Sequence, residues 1–261
     1  MCDRSAFLHA ITAAPDDDLP RLIFADWLDE HGDVDRAEFI RLQCAAAESS
    51  ADFRRMAALE TKNRPGWVGA LRSGVFQVEF RRGFVEHAVM PAAAFLKHGV
   101  ELRRQTPLRG VTLLGARRVL PELVRGLHLA GLSALHLTGC RLGDHGVRLL
   151  VNSTALTGLK VLRLGDNVLG DTGVTSVARS RHLARLMTLV LRDNAIGDEG
   201  AWELAHSPCL DRLTTLDVSG NEIGASGSTA LQSVARWTNL VLTDQRPMAR
   251  WGRRRALTAA R

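Results

Sequence analysis

The residues able to do chemistry are plentiful in this chain but poorly assembled for it. Nine histidines are scattered along 261 residues. None forms a His-x-x-x-His pair with an acid between, the helical spacing that turns two imidazoles toward one zinc ion. No serine lies in a Gly-x-Ser-x-Gly turn, and no Gly-x-x-x-x-Gly-Lys loop is present to cradle phosphate. Cys2, Cys44, Cys140 and Cys209 are far apart and make no Cys-x-x-Cys pair, so they read as free thiols of a reducing compartment. Two acidic groups could supply oxygen ligands: Asp16-Asp17-Asp18 after Pro15, and Asp29, Glu30, Asp33 and Asp35. Neither has the alternating ligands and glycine of a calcium loop, and helix-end capping accounts for them better. The expectation is a protein with no catalytic residues, no cofactor and no metal, hence not an enzyme.

Charge is distributed unevenly. Residues 1–62 hold seven basic and thirteen acidic side chains, a net of −6. Residues 63–244 hold twenty-one basic and fifteen acidic, a net of +6, and residues 245–261 carry six arginines and no acid. The tail sequence MARWGRRRALTAAR sets Arg250, Arg253, Arg254 and Arg255 around Trp251. That combination suits a polyanion such as nucleic acid, with the indole stacking on a base; a C-terminal cap is the competing reading. No apolar run is long enough to cross a bilayer. The first residues lack a basic region followed by an apolar stretch, which predicts a cytoplasmic protein.

The elements that must position any site follow from a repeat. Leu132, Leu159, Leu186 and Leu213 each open a unit 27 residues after the last. The units begin LSALHLTGCRLGDHG, LKVLRLGDNVLGDTG, LMTLVLRDNAIGDEG and LTTLDVSGNEIGASG. A degenerate copy, LRGVTLLGA, starts at Leu108. Within each unit leucines alternate with other residues, as in Leu135/Leu137 and Leu162/Leu164. That period of two predicts a short strand with one buried face. Stacked in register, such strands make a parallel sheet, and the rest of each unit supplies the crossover. Asp144, Asp171 and Asp198 are expected to cap the helix of their own unit, with Ser226 serving the fourth, where Ala225 replaces the aspartate. Leu150, Val177, Leu204 and Leu231 should face the core from those helices. Asn167, Asn194 and Asn221 should bond buried backbone groups where the strand turns, and Gly146, Gly173, Gly200 and Gly227 should serve a tight turn before each helix.

The pattern L-x-x-L-x-L-x-x-N-x-L-G-D-x-G resembles the ribonuclease-inhibitor-like class of leucine-rich repeats, from Leu108 to about Asn239. The resemblance implies an α/β solenoid with strands on a concave face, helices outside, and partners on the concave face or its rim.

Residues 5–62 read as helices. Ser5 suits a first cap, and the Pro15–Asp18 segment ends one helix and begins the next. Leu19, Ile23 and Trp27 form an apolar stripe, Gly32 stops that helix, and Asp33 caps a third carrying Ala37, Ile40 and Cys44. The strings PDDD, RLIFADWL, RAEFIRLQ and RRGFV resemble the repeat-companion domain of bacterial repeat proteins, a family with no established activity. The domain organisation expected is an acidic helical domain at 1–62 and a linker and solenoid cap at 63–107. A repeat domain at 108–244 and a basic tail at 245–261 follow. Trp67, Val68, Leu71 and Phe84 are expected to pack the front domain against the first repeat.

Taken together these readings describe a monomeric, non-membrane scaffold for a protein partner whose identity the residues do not encode. The candidate contacts lie on the outward face of the strands: His136, Thr138, Arg163, Val190, Arg192, Asp217 and Ser219. Polyanion binding through Arg250, Trp251, Arg253, Arg254 and Arg255 is the alternative. Regulation of a GTPase is a second, by fold analogy alone.

Overall fold

The computed structural model describes residues 4–45, 49–68 and 74–246. The chain divides into two compact units, one of residues 1–90 with 97–110, the other of 91–96 with 111–261. Among the described residues, no helix is long and apolar enough to cross a membrane.

The first unit contains α1 (Arg4–Ala13), α2 (Leu19–Glu30), α3 (Val34–Cys44), α4 (Ser50–Val68) and a hairpin of β1 (Gln77–Arg81) and β2 (Phe84–Pro91). Its core joins Ile11, Phe24, Ala25, Leu28, Ala37, Ile40 and Phe84, with Phe7 and Trp27 against them. Pro20 lies in the first turn of α2, where its missing N–H costs nothing. Gly32, at φ +85°, follows that helix as expected. Of the apolar stripe on α2, Trp27 packs on the core while Leu19 is 61 % and Ile23 49 % exposed. The helix instead turns Phe24, Ala25, Leu28 and Arg21 inward. Arg21 is buried because Glu86 on β2 meets its Nη2 at 2.7 Å and the Asp17 carbonyl accepts from its Nη1 at 2.9 Å. Ser5 lies inside α1, and Asp33 precedes α3 without bonding its first turn through the side chain.

α4 runs through Pro65 to Val68, across the junction placed at 62/63. The segment expected as linker and cap carries β1, β2 and α5 (Ala92–Gln105). Trp67 packs on Phe39 and Phe80, and Phe84 packs on Phe24, all within the first unit. Leu71 lies outside the described residues. The β1–β2 turn explains the RRGFV string. Arg82 and Gly83 both take positive φ, as a two-residue hairpin turn requires. A side chain at Gly83 would also overlap Ile40, with a Cβ 2.9 Å from its Cα.

In the second unit strands β3 (Gly110–Leu114), β4 (Ala134–His136), β5 (Val161–Arg163), β6 (Thr188–Val190), β7 (Thr215–Asp217) and β8 (Asn239–Val241) lie side by side in chain order. From β4 onward they pair parallel in register, Leu135 with Leu162, Leu189, Leu216 and Leu240. Short helices return the chain: α6 (Leu120–Arg125), α7 (Gly143–Val151), α8 (Asp171–Ala178), α9 (Asp198–Ala205) and α10 (Ala225–Gln232). The core lies between the layers, where Leu135, Leu162, Leu189 and Leu216 meet Leu150, Val177, Leu204 and Leu231, all fully buried. The last strand follows its predecessor by 24 residues, a unit shortened by three.

Candidate protein-binding face

A short parallel repeat leaves many backbone groups without partners at its turns, and unpaired buried N–H and C=O groups are costly. Three polar ladders satisfy them here, each by reaching from one repeat to the next. In the first, Asn194 Oδ1 accepts from the backbone N–H groups of Asn167 and Leu169, at 2.9 and 3.1 Å. Its Nδ2 donates to the Leu164 and Leu191 carbonyls. Asn167 and Asn221 repeat the pattern. Gln245 ends it, accepting from Ile223 N and donating to the Val218 carbonyl. Cys140, in the asparagine slot of the first unit, donates its thiol to the Leu113 carbonyl at 3.2 Å.

The aspartates form the second ladder, and they correct the expectation. None caps its own helix. Asp144 Oδ1 accepts from Gly170 N, the residue before α8, at 2.8 Å. Asp171 Oδ1 accepts from Gly197 N and Gly200 N at the start of α9, at 2.7 and 3.0 Å. Asp198 Oδ1 does the same for Gly224 N and Gly227 N at α10. Each carboxylate thus serves the positive end of the following helix. Ser226 forms no cap on α10. Ala225 stands in the aspartate position because no further helix follows among the described residues. Gly173, Gly200 and Gly227 lie inside the first turns rather than before them. A Cβ there would come within 2.5, 2.6 and 2.6 Å of the Oδ1 of Asp144, Asp171 and Asp198. Close approach of the neighbouring carboxylate, not turn conformation, requires glycine.

The third ladder, of serines, escaped the sequence reading although its members recur at the same 27-residue interval. Ser153, Ser180 and Ser207 donate from Oγ to the carbonyls of Val124, Val151 and Ala178, at 3.0, 2.5 and 2.5 Å. The C-terminal unit substitutes Arg236, whose Nη2 reaches the Leu204 and Ala205 carbonyls and whose guanidinium stacks on Trp237.

The sheet turns the other side of each strand outward. One row runs Ala134, Val161, Thr188, Thr215 and Asn239; the next runs His136, Arg163, Val190, Asp217 and Val241. Thr138, Arg163 and Arg192 are exposed; His136, Asp217 and Ser219 are half-buried. His136 Nδ1 lies 3.2 Å from Thr112 Oγ1. Asp217 Oδ1 is turned to its neighbour, accepting from Ser219 N and Oγ at 3.0 and 2.6 Å. Val190 is the exception among the expected contact residues: only 9 % of it is exposed. Flanked on both sides by paired strands, so short a side chain fills the sheet surface instead of projecting from it. Arg250, Trp251, Arg253, Arg254 and Arg255 lie outside the described residues.

A family model described as a leucine-rich repeat matches residues 132–151, 156–178, 182–205 and 213–231. These segments are leucine-rich repeats. Their matched span covers β4 to α10, so the repeat register, the buried leucines and the outward rows belong to one architecture, an α/β leucine-rich-repeat solenoid behind a helical N-terminal region. No curated protein matches the chain.

Four of the acids considered as metal ligands, Asp16, Asp18, Asp29 and Asp35, form ion pairs. Asp29 and Asp26 take Arg41, and Asp35 takes Lys62 and Asn63. Asp16 and Asp18 face Arg82, and Asp16 also takes Arg109 at 2.7 Å. Among the described residues no group of three histidines, cysteines or acids is placed to hold a metal ion. Hydrogen bonds from Lys62 and Asn63, and from Arg55, hold the carboxyl groups of Asp35 and Glu38 below the usual range. Burial pushes the Cys44 thiol up to about 11 and the Cys140 thiol up as well, the reverse of an activated nucleophile.

The first unit also encloses a guanidinium with no ion pair among the described residues. Arg36 is buried among Phe39, Trp67, Phe80 and Phe84, at 6.0, 4.5, 5.5 and 5.5 Å from the ring centres. Desolvation pushes its pKa down to about 9, while the ring faces compensate part of the charge.

Proposed function

We propose that this protein is a non-catalytic scaffold that binds a protein partner on the concave face of its leucine-rich repeats, through His136, Thr138, Arg163, Arg192, Asp217 and Ser219. Leucine-rich repeats commonly serve as protein-interaction modules. One observation carries the reading. The polar side chains of the three ladders point inward, whereas Thr138, Arg163 and Arg192 on the outward face are exposed, and neither arginine makes an ion pair among the described residues. The mixture of small and charged side chains on that face, without aromatic anchors, suits a modest-affinity contact. The repeats are read as the ribonuclease-inhibitor-like class, and the front unit as a bacterial repeat-companion domain, on the strings PDDD, RLIFADWL, RAEFIRLQ and RRGFV. A monomer acting in the cytoplasm fits this reading.

The test is site-specific photo-crosslinking of the full chain in its native cytoplasm. A crosslinker replacing Thr188 or Thr215 on the outward rows should trap one discrete protein. One replacing Ser176 on α8 should not. Equal capture from both faces, or none from the rows, overturns the proposal.

A further inference from the structure

Two arginines on the outward face are set differently from the rest. Arg163 stands on β5, and His136 is its register neighbour on β4. Arg192 follows β6, and its side chain lies across Gly165, two residues beyond Arg163 on the same face. A Cβ at Gly165 would come within 3.0 Å of Arg192 Cγ and 3.6 Å of its Nε. The bare glycine leaves room for the Arg192 side chain to lie over the segment that follows β5. Both arginines are exposed, and neither has an ion pair or side-chain hydrogen bond among the described residues. The bordering acids do not neutralise them: Asp217 is turned to Ser219, and Asp193 takes Arg246 from the last repeat. Asp166, exposed after Gly165, approaches the β4 side, 3.7 Å from where a Cβ of Gly139 would stand.

The register sets Arg163 opposite Val190, two residues before Arg192, so two unpaired cations stand on neighbouring strands, and a planar carboxylate is the ligand that pairs with a guanidinium through two parallel hydrogen bonds. Around them the face is low and aliphatic, with Ala134, Val161, Thr188 and Val190. The described strand positions of this face carry no Trp, Phe or Tyr on which a nucleobase could stack, and His136 lies against Thr112, which favours carboxylates over nucleic acid. Resting on the scaffold reading above, we infer that the Arg163–Arg192 pair is the subsite that receives an acidic segment of the partner, a peptide presenting two or more Asp or Glu side chains.

The probe is a fluorescein-labelled eight-residue peptide of alternating Glu and Gly, read by anisotropy with the full-length protein at low salt. The Glu peptide should bind, and its Gln counterpart should not. Arg163→Gln and Arg192→Gln should each weaken binding by about threefold to tenfold, and the double variant should abolish it. Arg148→Gln on the outer helix α7 should leave it unchanged. Equal binding of the Gln peptide, or of the double variant, overturns the inference. So does a single-stranded oligonucleotide of equal charge that binds more tightly and is lost in the same variants. If crosslinking from Thr188 still traps its protein after both arginines are replaced, the scaffold reading stands and the acidic subsite falls.

Discussion

Replacing Asp171 with alanine removes an acceptor that its own helix never uses. Asp171 Oδ1 holds two N–H groups of the next repeat, Gly197 and Gly200, at 2.7 and 3.0 Å. Loss of a helix cap costs about 1 kcal/mol in typical cases, and a bond to a charged acceptor about 1.5–3 kcal/mol. With two donors stranded and the site half-buried, Asp171→Ala should cost about 2–3 kcal/mol. Asp144 accepts one such bond, from Gly170 N, so Asp144→Ala should cost about half as much, on the order of 1–1.5 kcal/mol. Asp171→Asn keeps an acceptor oxygen and should fall between. Only the helix-dipole part, about 0.3–1 kcal/mol, is screened by salt, so most of the loss should persist at high ionic strength. Urea denaturation followed by circular dichroism gives the stability. Hydrogen exchange of the peptide spanning α9 gives the local effect. If Asp171→Ala is neutral, or Asp144→Ala costs more, the inter-repeat cap is not what holds α9.

Three further outcomes follow from the same geometry. Gly173→Ala should destabilise alone, since its Cβ meets Asp144 Oδ1 at 2.5 Å. In an Asp144→Ala background it should be neutral or gain up to about 1 kcal/mol of helix propensity, and additivity in this cycle would refute the close-approach argument. Asn194→Ala should cost about 1–3 kcal/mol by stranding buried backbone groups, and Leu189→Ala about 2–5 kcal/mol; denaturation midpoints unchanged by both would contradict their placement. Because burial raises the Cys44 pKa to about 11, on the order of one thiol in a thousand is ionised at pH 8. Iodoacetamide should therefore spare Cys44 in the native protein, label it once urea unfolds the chain, and reach it progressively as pH approaches the raised pKa; rapid native labelling by peptide mapping at pH 8 would be inconsistent with that burial.

Residues whose roles depend on alternation within one unit could be read from sequence. Leu162 and Leu164 declare a strand and its buried face, and the asparagine slot declares a turn in need of bonds. Roles that cross between units could not. A residue recurring every 27 positions looks the same whether it serves its own helix or the next, so Asp171 was assigned to the wrong one. The serine ladder carried the same periodic signal at Ser153, Ser180 and Ser207 without a local motif to draw notice. Helix α2 offers two apolar stripes at helical spacing, and only the partner at Glu86, 65 residues beyond Arg21, decides which turns inward. Gln245 was placed in the tail because its unit is three residues short and its amide comes from glutamine. On the outward face, alternation locates Arg163 and Arg192 but cannot show that the Arg192 side chain lies across Gly165, or that Val190 barely emerges.

The ladders make repeat number a heritable variable with a fixed increment. A duplicated block of 27 residues, such as Leu159–Arg185, would arrive with an acceptor for the helix after it and an asparagine for the turn before it. Recombination in units of that length could therefore lengthen the outward face by one strand while leaving both ends intact. A unit of another length needs substitutes at the ladder positions, as Arg236 and Gln245 supply in the 24-residue last unit. The terminal set of Arg236, Trp237 and Gln245 has no such freedom. It can close the array only from the last position, so growth by duplication is confined to the interior.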